Sequence, residues 1–183
     1  MGDNEASEER RYWYVMRDLK RANAKERAWK MLEENGYEVF TPMHWKISAS
    51  GGKRIRKLLP VISDLLFVYS SRPALEAIVK KTPTLQFRFV KNTGSQPMTV
   101  RDEDMQRFII AVGGCDSVRY YAPDELEAAH GGKCVRIIGG PLNGYEGKLL
   151  SVRGSKVKRL LIELPHLLCA AIEVKPEYIE IIK

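Results

Sequence analysis

Cysteine is scarce in this chain, with three in 183 residues and no Cys-x-x-Cys pair. An odd number of thiols argues against a disulfide framework and for a reducing compartment. Long apolar runs are also missing. The longest, such as Leu65–Tyr69, are strand-sized, well short of the ~20 residues that span a bilayer, so no membrane partner is expected. The N-terminal Met1-Gly2-Asp3-Asn4-Glu5 is polar and acidic, unlike a secretory signal, and a cytoplasmic location is expected. There is no Gly-x-Ser-x-Gly elbow, Walker loop or dinucleotide fingerprint. His130 with Cys134, and His166 with Cys169, have spacings a metal could use, but Cys134 and Cys169 lie in apolar strand contexts. Both read as buried structural thiols. No catalytic residue, metal or cofactor is expected, and the chain reads as a non-enzyme.

What the chain does have is positive charge, unevenly placed. The net charge is +7. Residues 1–122 hold 21 Lys and Arg against 15 Asp and Glu, whereas residues 123–183 hold 9 against 8. Any polyanion is therefore expected to meet the first part of the chain. Within it, residues 44–57 contain five Lys or Arg, two adjacent glycines and no acid, which reads as a flexible basic loop or hairpin tip.

Periodicity divides the chain in two. Residues 1–10 read as a polar, frayed tail. Trp13–Arg17 reads as a strand. Asn23 with Glu26 forms a capping-box pattern, and Ala24, Ala28, Met31 and Leu32 share one helical face ending at Gly36. Tyr37–Thr41, Leu65–Tyr69 and Leu85–Val90 read as further strands, and Pro73 opens a second helix. Thr99 with Asp102 marks the start of a third, with Met105, Phe108, Ile109 and Val112 on its apolar face and Gly113 at its end. This order is a split βαβ pattern with one extra helix, an antiparallel sheet covered on one face. Residues 115–130 read as a linker. From Gly131 on, five short strands punctuated by Gly and Pro read as a small barrel. The expected fold class is α+β, with domains at 11–114 and 131–183.

Two segments carry a more specific resemblance. Val135–Leu149 runs from an apolar strand into a turn with Gly139, Gly140, Pro141, Gly144 and Gly147. Gly140, Pro141 and Gly144 suit a tight turn, and Gly147 suits close backbone approach. The run resembles the KOW motif of NusG-type transcription factors and certain ribosomal proteins, which implies a Src-homology-3-like barrel. Trp13-Tyr14-Val15 is similar to the opening strand of the NusG N-terminal domain, and Lys57–Val68 resembles its basic-then-apolar segment. The family's Pro-Gly-Tyr before that strand is replaced here by Ser63-Asp64-Leu65. This variant segment looks most like the UpxY-type antiterminators, paralogues related to RfaH.

The resemblance implies a transcription antitermination or elongation factor. Its N-terminal domain would bind the clamp region of bacterial RNA polymerase and hold the processive state, a population shift rather than catalysis. By matching positions, Leu65 and Phe67 would lie in the apolar docking patch, with Phe89 beside them. Lys20 and Arg21 would face the non-template DNA strand, Lys53, Arg54, Arg56 and Lys57 would meet upstream duplex phosphates, and nascent RNA is a further expected partner, met by the KOW domain. The KOW domain would recruit Rho or a ribosomal protein, with Leu142, Asn143, Tyr145 and Pro165–Leu168 as candidate surfaces. The competing reading is an RNA-binding or ribosome-associated KOW or RRM-like module, echoed by Gln86–Val90.

Overall fold

The computed structural model describes residues 10–21, 24–91, 93, 95–115, 117–122, 125, 132–151 and 157–182. The expected tail at 1–9, the cap at Asn23 and most of 123–131, with His130, lie outside the described residues. The chain divides into two compact units, Met1–Asp102 and Glu103–Lys183. Among the described residues no helix is long and apolar enough to cross a membrane.

In the first unit, aromatic and β-branched residues make β1 (Arg11–Asp18) the centre of the sheet. It pairs antiparallel with β5 (Leu65–Ser71) from Arg11↔Ser71 to Arg17↔Leu65. β2 (Glu38–Phe40) lies on the far side of β5, while β6 (Leu85–Phe87) and the short β7 (Thr99–Val100) share the other side of β1. The order β2-β5-β1-β6 is that of a split βαβ unit. Helices α1 (Ala28–Glu34) and α2 (Arg72–Lys81) supply Ala28, Leu32 and Leu75 to a core completed by Tyr14, Met16, Leu66, Val68 and Leu85. Each buried Leu, Val or Met among these contributes about 1.5–3 kcal/mol relative to exposure.

Three details differ from the sequence reading. Residues 44–57 are the heart of an ordered two-stranded hairpin, β3 (Met43–Ser50) and β4 (Lys53–Pro60), turned by Gly51 and Gly52 at φ 58° and 78°. Helix α1 starts at Ala28 rather than Ala24, because its first N–H is taken by a carboxylate from β1. Thr99 belongs to β7, so it does not cap α3 (Asp102–Gly113). The last helix does end at Gly113, and it buries Met105, Phe108 and Ala111 while Ile110 stays exposed.

The second unit is a six-stranded antiparallel sheet ordered β13-β9-β10-β11-β12-β8. Five of its strands, β9 (Cys134–Ile137), β10 (Glu146–Ser151), β11 (Lys158–Leu164), β12 (Leu168–Val174) and β13 (Ile179–Ile181), match the expected set. The sixth, β8 (Val118–Tyr121), comes from the stretch read as a linker and pairs with β12 from Ile172↔Val118 to Cys169↔Tyr121. Val-Arg-Tyr-Tyr has strand propensity that a neighbouring Pro and acidic cluster concealed. The core includes Leu160, Leu164, Cys169, Ala171 and Ile172. Cys169 is a buried thiol, pushed up to about 12 by burial and, secondarily, by Glu163 opposite it. Cys134, read as buried, is exposed, its side chain directed away from the alternating buried positions Val135 and Ile137.

Candidate nucleic-acid and partner interface

The hairpin concentrates the exposed charge of the first unit. Its register sets Trp45 opposite Leu58, Ile47 opposite Arg56 and Ala49 opposite Arg54, so these six share one face. His44, Lys46 and Ser48 lie opposite Leu59, Lys57 and Ile55 on the other face, with Lys53 at its tip. Between Met43 and Pro60 there are five Lys or Arg and no acid. Among the described residues no ion pair holds Lys46, Lys53, Arg54, Arg56 or Lys57, and all five are exposed. The Trp45 face is also apolar and open. Trp45 is 57% exposed, Ile47 68% and Leu58 49%. The Arg56 guanidinium lies over the Trp45 ring, 4.3 Å from its centroid, a stacked cation–π pair.

The second basic segment, between β1 and α1, is organised around one buried carboxylate. Asp18 is 3% exposed. Its Oδ1 accepts the Lys20 N–H at 3.0 Å, and its Oδ2 accepts Arg27 Nε at 2.9 Å and the Ala28 N–H at 3.0 Å. Arg27, itself buried, also donates to the carbonyls of Arg21 and Ser63. One ion pair thus joins the end of β1, the start of α1 and the turn before β5. Lys20 donates its ammonium to the Glu26 carbonyl at 2.9 Å, while Arg21 is exposed. Asp18 and Arg27 escaped the sequence reading, although strand alternation places Asp18 in phase with Tyr14 and Met16 on the core side.

The expected docking residues separate. Leu65 and Phe67 are buried, at 2% and 0% exposure. The resemblance places them in an open docking patch, which needs one side of this strand to be uncovered. β5 instead runs between β1 and β2, and Leu65 through Val68 are buried without interruption, as in a strand covered on both faces. Phe67 pairs with Val15, and its ring centroid lies 6.2 Å from that of Phe40. Phe89 is 47% exposed, bridges to Pro97 and sits 6.3 Å from the Phe87 ring. Of the three, Phe89 alone is exposed.

In the second unit the glycine-rich turn has the backbone its composition suits. Gly139, Gly140 and Gly144 have φ of 96°, 69° and 83°, a region costly for residues with a Cβ. Asn143 Oδ1 accepts the Gly139 N–H at 2.6 Å, and Ile137 O accepts the Gly144 N–H at 2.7 Å. A Cβ on Gly147 would stand 2.7 Å from the Leu161 carbonyl oxygen. Pro141 shares with Leu142 and Tyr178 the wall of a cavity of about 200 Å³. Leu142, Leu167 and Leu168 are buried, so of the suggested partner surface Asn143, Pro165 and His166 stay exposed. Among the described residues no cluster of three His, Cys, Asp or Glu side chains could hold a metal ion.

Comparisons with known proteins address the first unit most directly. No curated protein matches the chain. A solved structure described as "Domain interaction in Thermotoga maritima NusG" is similar at 16% sequence identity and a TM-score of 0.45, covering 95% of this chain and 98% of that one. The family model "Transcription termination factor nusG" matches residues 11–109. That span runs from the first residue of β1 into α3 and takes in the split βαβ sheet, the buried Asp18–Arg27 pair and the basic hairpin. It covers more than half of the 183 residues, and the chain therefore belongs to the NusG family of transcription factors.

Proposed function

We propose that this protein is an antitermination or elongation factor of the UpxY type, related to RfaH, that binds the clamp region of RNA polymerase through its first unit. In this reading it promotes processive transcription of specific operons and acts by binding alone. The observation that carries the proposal is the family match over residues 11–109, together with an acid-free cationic hairpin inside that span. The hairpin cations Lys53, Arg54, Arg56 and Lys57 would meet duplex phosphates, and Arg21 would add a contact to the non-template strand. Phe89 would anchor the polymerase contact. Leu65 and Phe67 would join it only where their face of the sheet becomes accessible.

The second unit is proposed to be a KOW domain with a Src-homology-3-like sheet that recruits Rho or a ribosomal protein. The positive φ of Gly140 and Gly144 and the close approach at Gly147 support that reading. If it holds, Gly147→Val destabilises the second unit by about 1–3 kcal/mol through overpacking, while Lys148→Ala stays within about 0.5 kcal/mol. Equal tolerance of the two in thermal melts would count against it.

Co-purification of the full chain with core RNA polymerase tests the main proposal, followed by transcription through a pause and a terminator. Binding with increased read-through is expected. Phe89→Asp, at an exposed position, should keep the fold by circular dichroism and weaken the complex. A chain that leaves polymerase unbound and read-through unchanged would refute the reading.

A further inference from the structure

Where β1 begins, β5 ends and α2 starts, the first unit holds an open cavity of about 1080 Å³. That is just above the roughly 300–1,000 Å³ typical of small-molecule sites. Its polar groups are sorted by charge. Arg10 and Arg11 line one side, and among the described residues neither is held by an ion pair. Ser70 lies with them, 7% exposed, and its hydroxyl has no hydrogen-bond partner among the described residues. A buried hydroxyl left unpaired is costly unless a ligand meets it. Ser71, also in this wall, is the N-cap of the ten-residue α2, which has no side-chain cap hydrogen bond and no acid in its first turn. The N-terminal end of the helix dipole therefore adds to the same positive field.

The other side of the cavity differs. Glu38 pairs with Tyr69 across β2 and β5, as Arg11 pairs with Ser71 across β1 and β5. Arg11 and Glu38 thus flank β5 two strand spacings apart, about 10 Å. The phenol hydroxyls of Tyr37 and Tyr69 share the wall with Glu38, and neither has a hydrogen-bond partner among the described residues. A carboxylate repels phosphate and accepts hydrogen bonds from neutral hydroxyl and amino groups. A simple inorganic anion would satisfy the arginine side alone. Both sides are met by a molecule with several phosphates at one end and hydroxyl or amino donors about 10 Å away, which is the chemistry of a nucleoside polyphosphate.

We infer that this cavity binds a nucleoside polyphosphate, with its phosphates on Arg10, Arg11, Ser70 and the start of α2 and its sugar or base donors on Glu38. The site shares no residue with the hairpin, with the β1–α1 loop or with Phe89, so it is independent of the proposed nucleic-acid and polymerase contacts.

Isothermal titration calorimetry of the full chain tests it with ATP, GTP, inorganic pyrophosphate and a 5′-phosphorylated oligo-dT of about ten nucleotides. At least one of the two nucleotides should bind, and pyrophosphate should bind roughly tenfold weaker because it leaves the Glu38 side unmet. The double variant Arg10→Gln, Arg11→Gln should weaken the nucleotide roughly ten- to hundredfold, the scale of charged hydrogen bonds. Ser70→Ala should weaken it roughly three- to tenfold without lowering the melting temperature. Glu38→Ala should weaken the nucleotide but not pyrophosphate. Lys80→Ala with Lys81→Ala, the same charge change at the far end of α2, should leave nucleotide affinity unchanged. The triple Lys46→Ala, Lys53→Ala, Lys57→Ala should weaken the oligonucleotide and spare the nucleotide. Binding of neither nucleotide overturns the site, as does an unchanged affinity in the arginine pair. Pyrophosphate binding as tightly as the nucleotide overturns the nucleoside assignment. Nucleotide binding lost in the hairpin triple rather than in the arginine pair would place the phosphates on the hairpin and overturn the cavity.

Discussion

Between β1 and α1, the eight residues from Lys20 to Arg27 hold four cations, much as the hairpin holds five between Met43 and Pro60. In the first segment two of the four cations are tied to the fold, while Arg21 and Lys25 are exposed. Arg27 is buried on Asp18, and Lys20 is tied to the Glu26 carbonyl. In the hairpin, Arg56 rests on Trp45, and no carboxylate neutralises any of the five cations among the described residues. The difference traces to one residue. Asp18 lies at the core-facing phase of β1, so it must be neutralised where it stands, and Arg27 is buried with it as its counter-charge. The hairpin contains no acid and packs no core, so its charge remains available to a partner.

The largest effect should come from removing the organiser. Asp18→Ala leaves Arg27 buried without its counter-charge and the first N–H of α1 without an acceptor. A loss of about 3–5 kcal/mol is expected, read as a lower urea midpoint with an unchanged slope. A loss below about 1 kcal/mol would mean that the pair does not organise this loop. Lys20→Ala is next. It removes one hydrogen bond at a partly exposed site and should cost about 0.5–1.5 kcal/mol. Smallest should be Lys46→Ala, Lys53→Ala and Lys57→Ala, each within about 0.5 kcal/mol by thermal melting. A hairpin lysine whose loss destabilises the fold more than that of Lys20 would reverse the comparison.

Much of the fold was legible because alternation and punctuation are local signals. β1, β5 and the five later strands follow from runs of apolar and β-branched residues, and α2 begins close to Pro73. Gly140 and Gly144 adopt the positive φ that a tight turn asks of glycine. What stayed hidden depends on distant partners. Asp18 reads as a surface acid until Arg27 and Ala28 are brought to it. Val118–Tyr121 reads as linker because its strand partner, β12, lies some fifty residues on. Leu65 and Phe67 could be read as an open face because no local pattern reports that both sides of β5 are covered. In the candidate site, the five hairpin cations could be counted directly. The division between a lysine face and a Trp45 face needed the register that pairs Trp45 with Leu58.

The central claim is that the hairpin, rather than the β1–α1 loop, presents the charge that meets nucleic acid. The salt dependence of DNA binding tests it most directly, since each neutralised phosphate contributes about 0.9 to the slope of log affinity against log salt. For the full chain on a blunt duplex between about 50 and 200 mM salt, the triple hairpin lysine variant should reduce that slope by about 2–3. The double variant Lys20→Ala, Arg21→Ala should reduce it by about 1 at most, the share of Arg21. A larger reduction from the loop pair than from the hairpin triple would contradict the account.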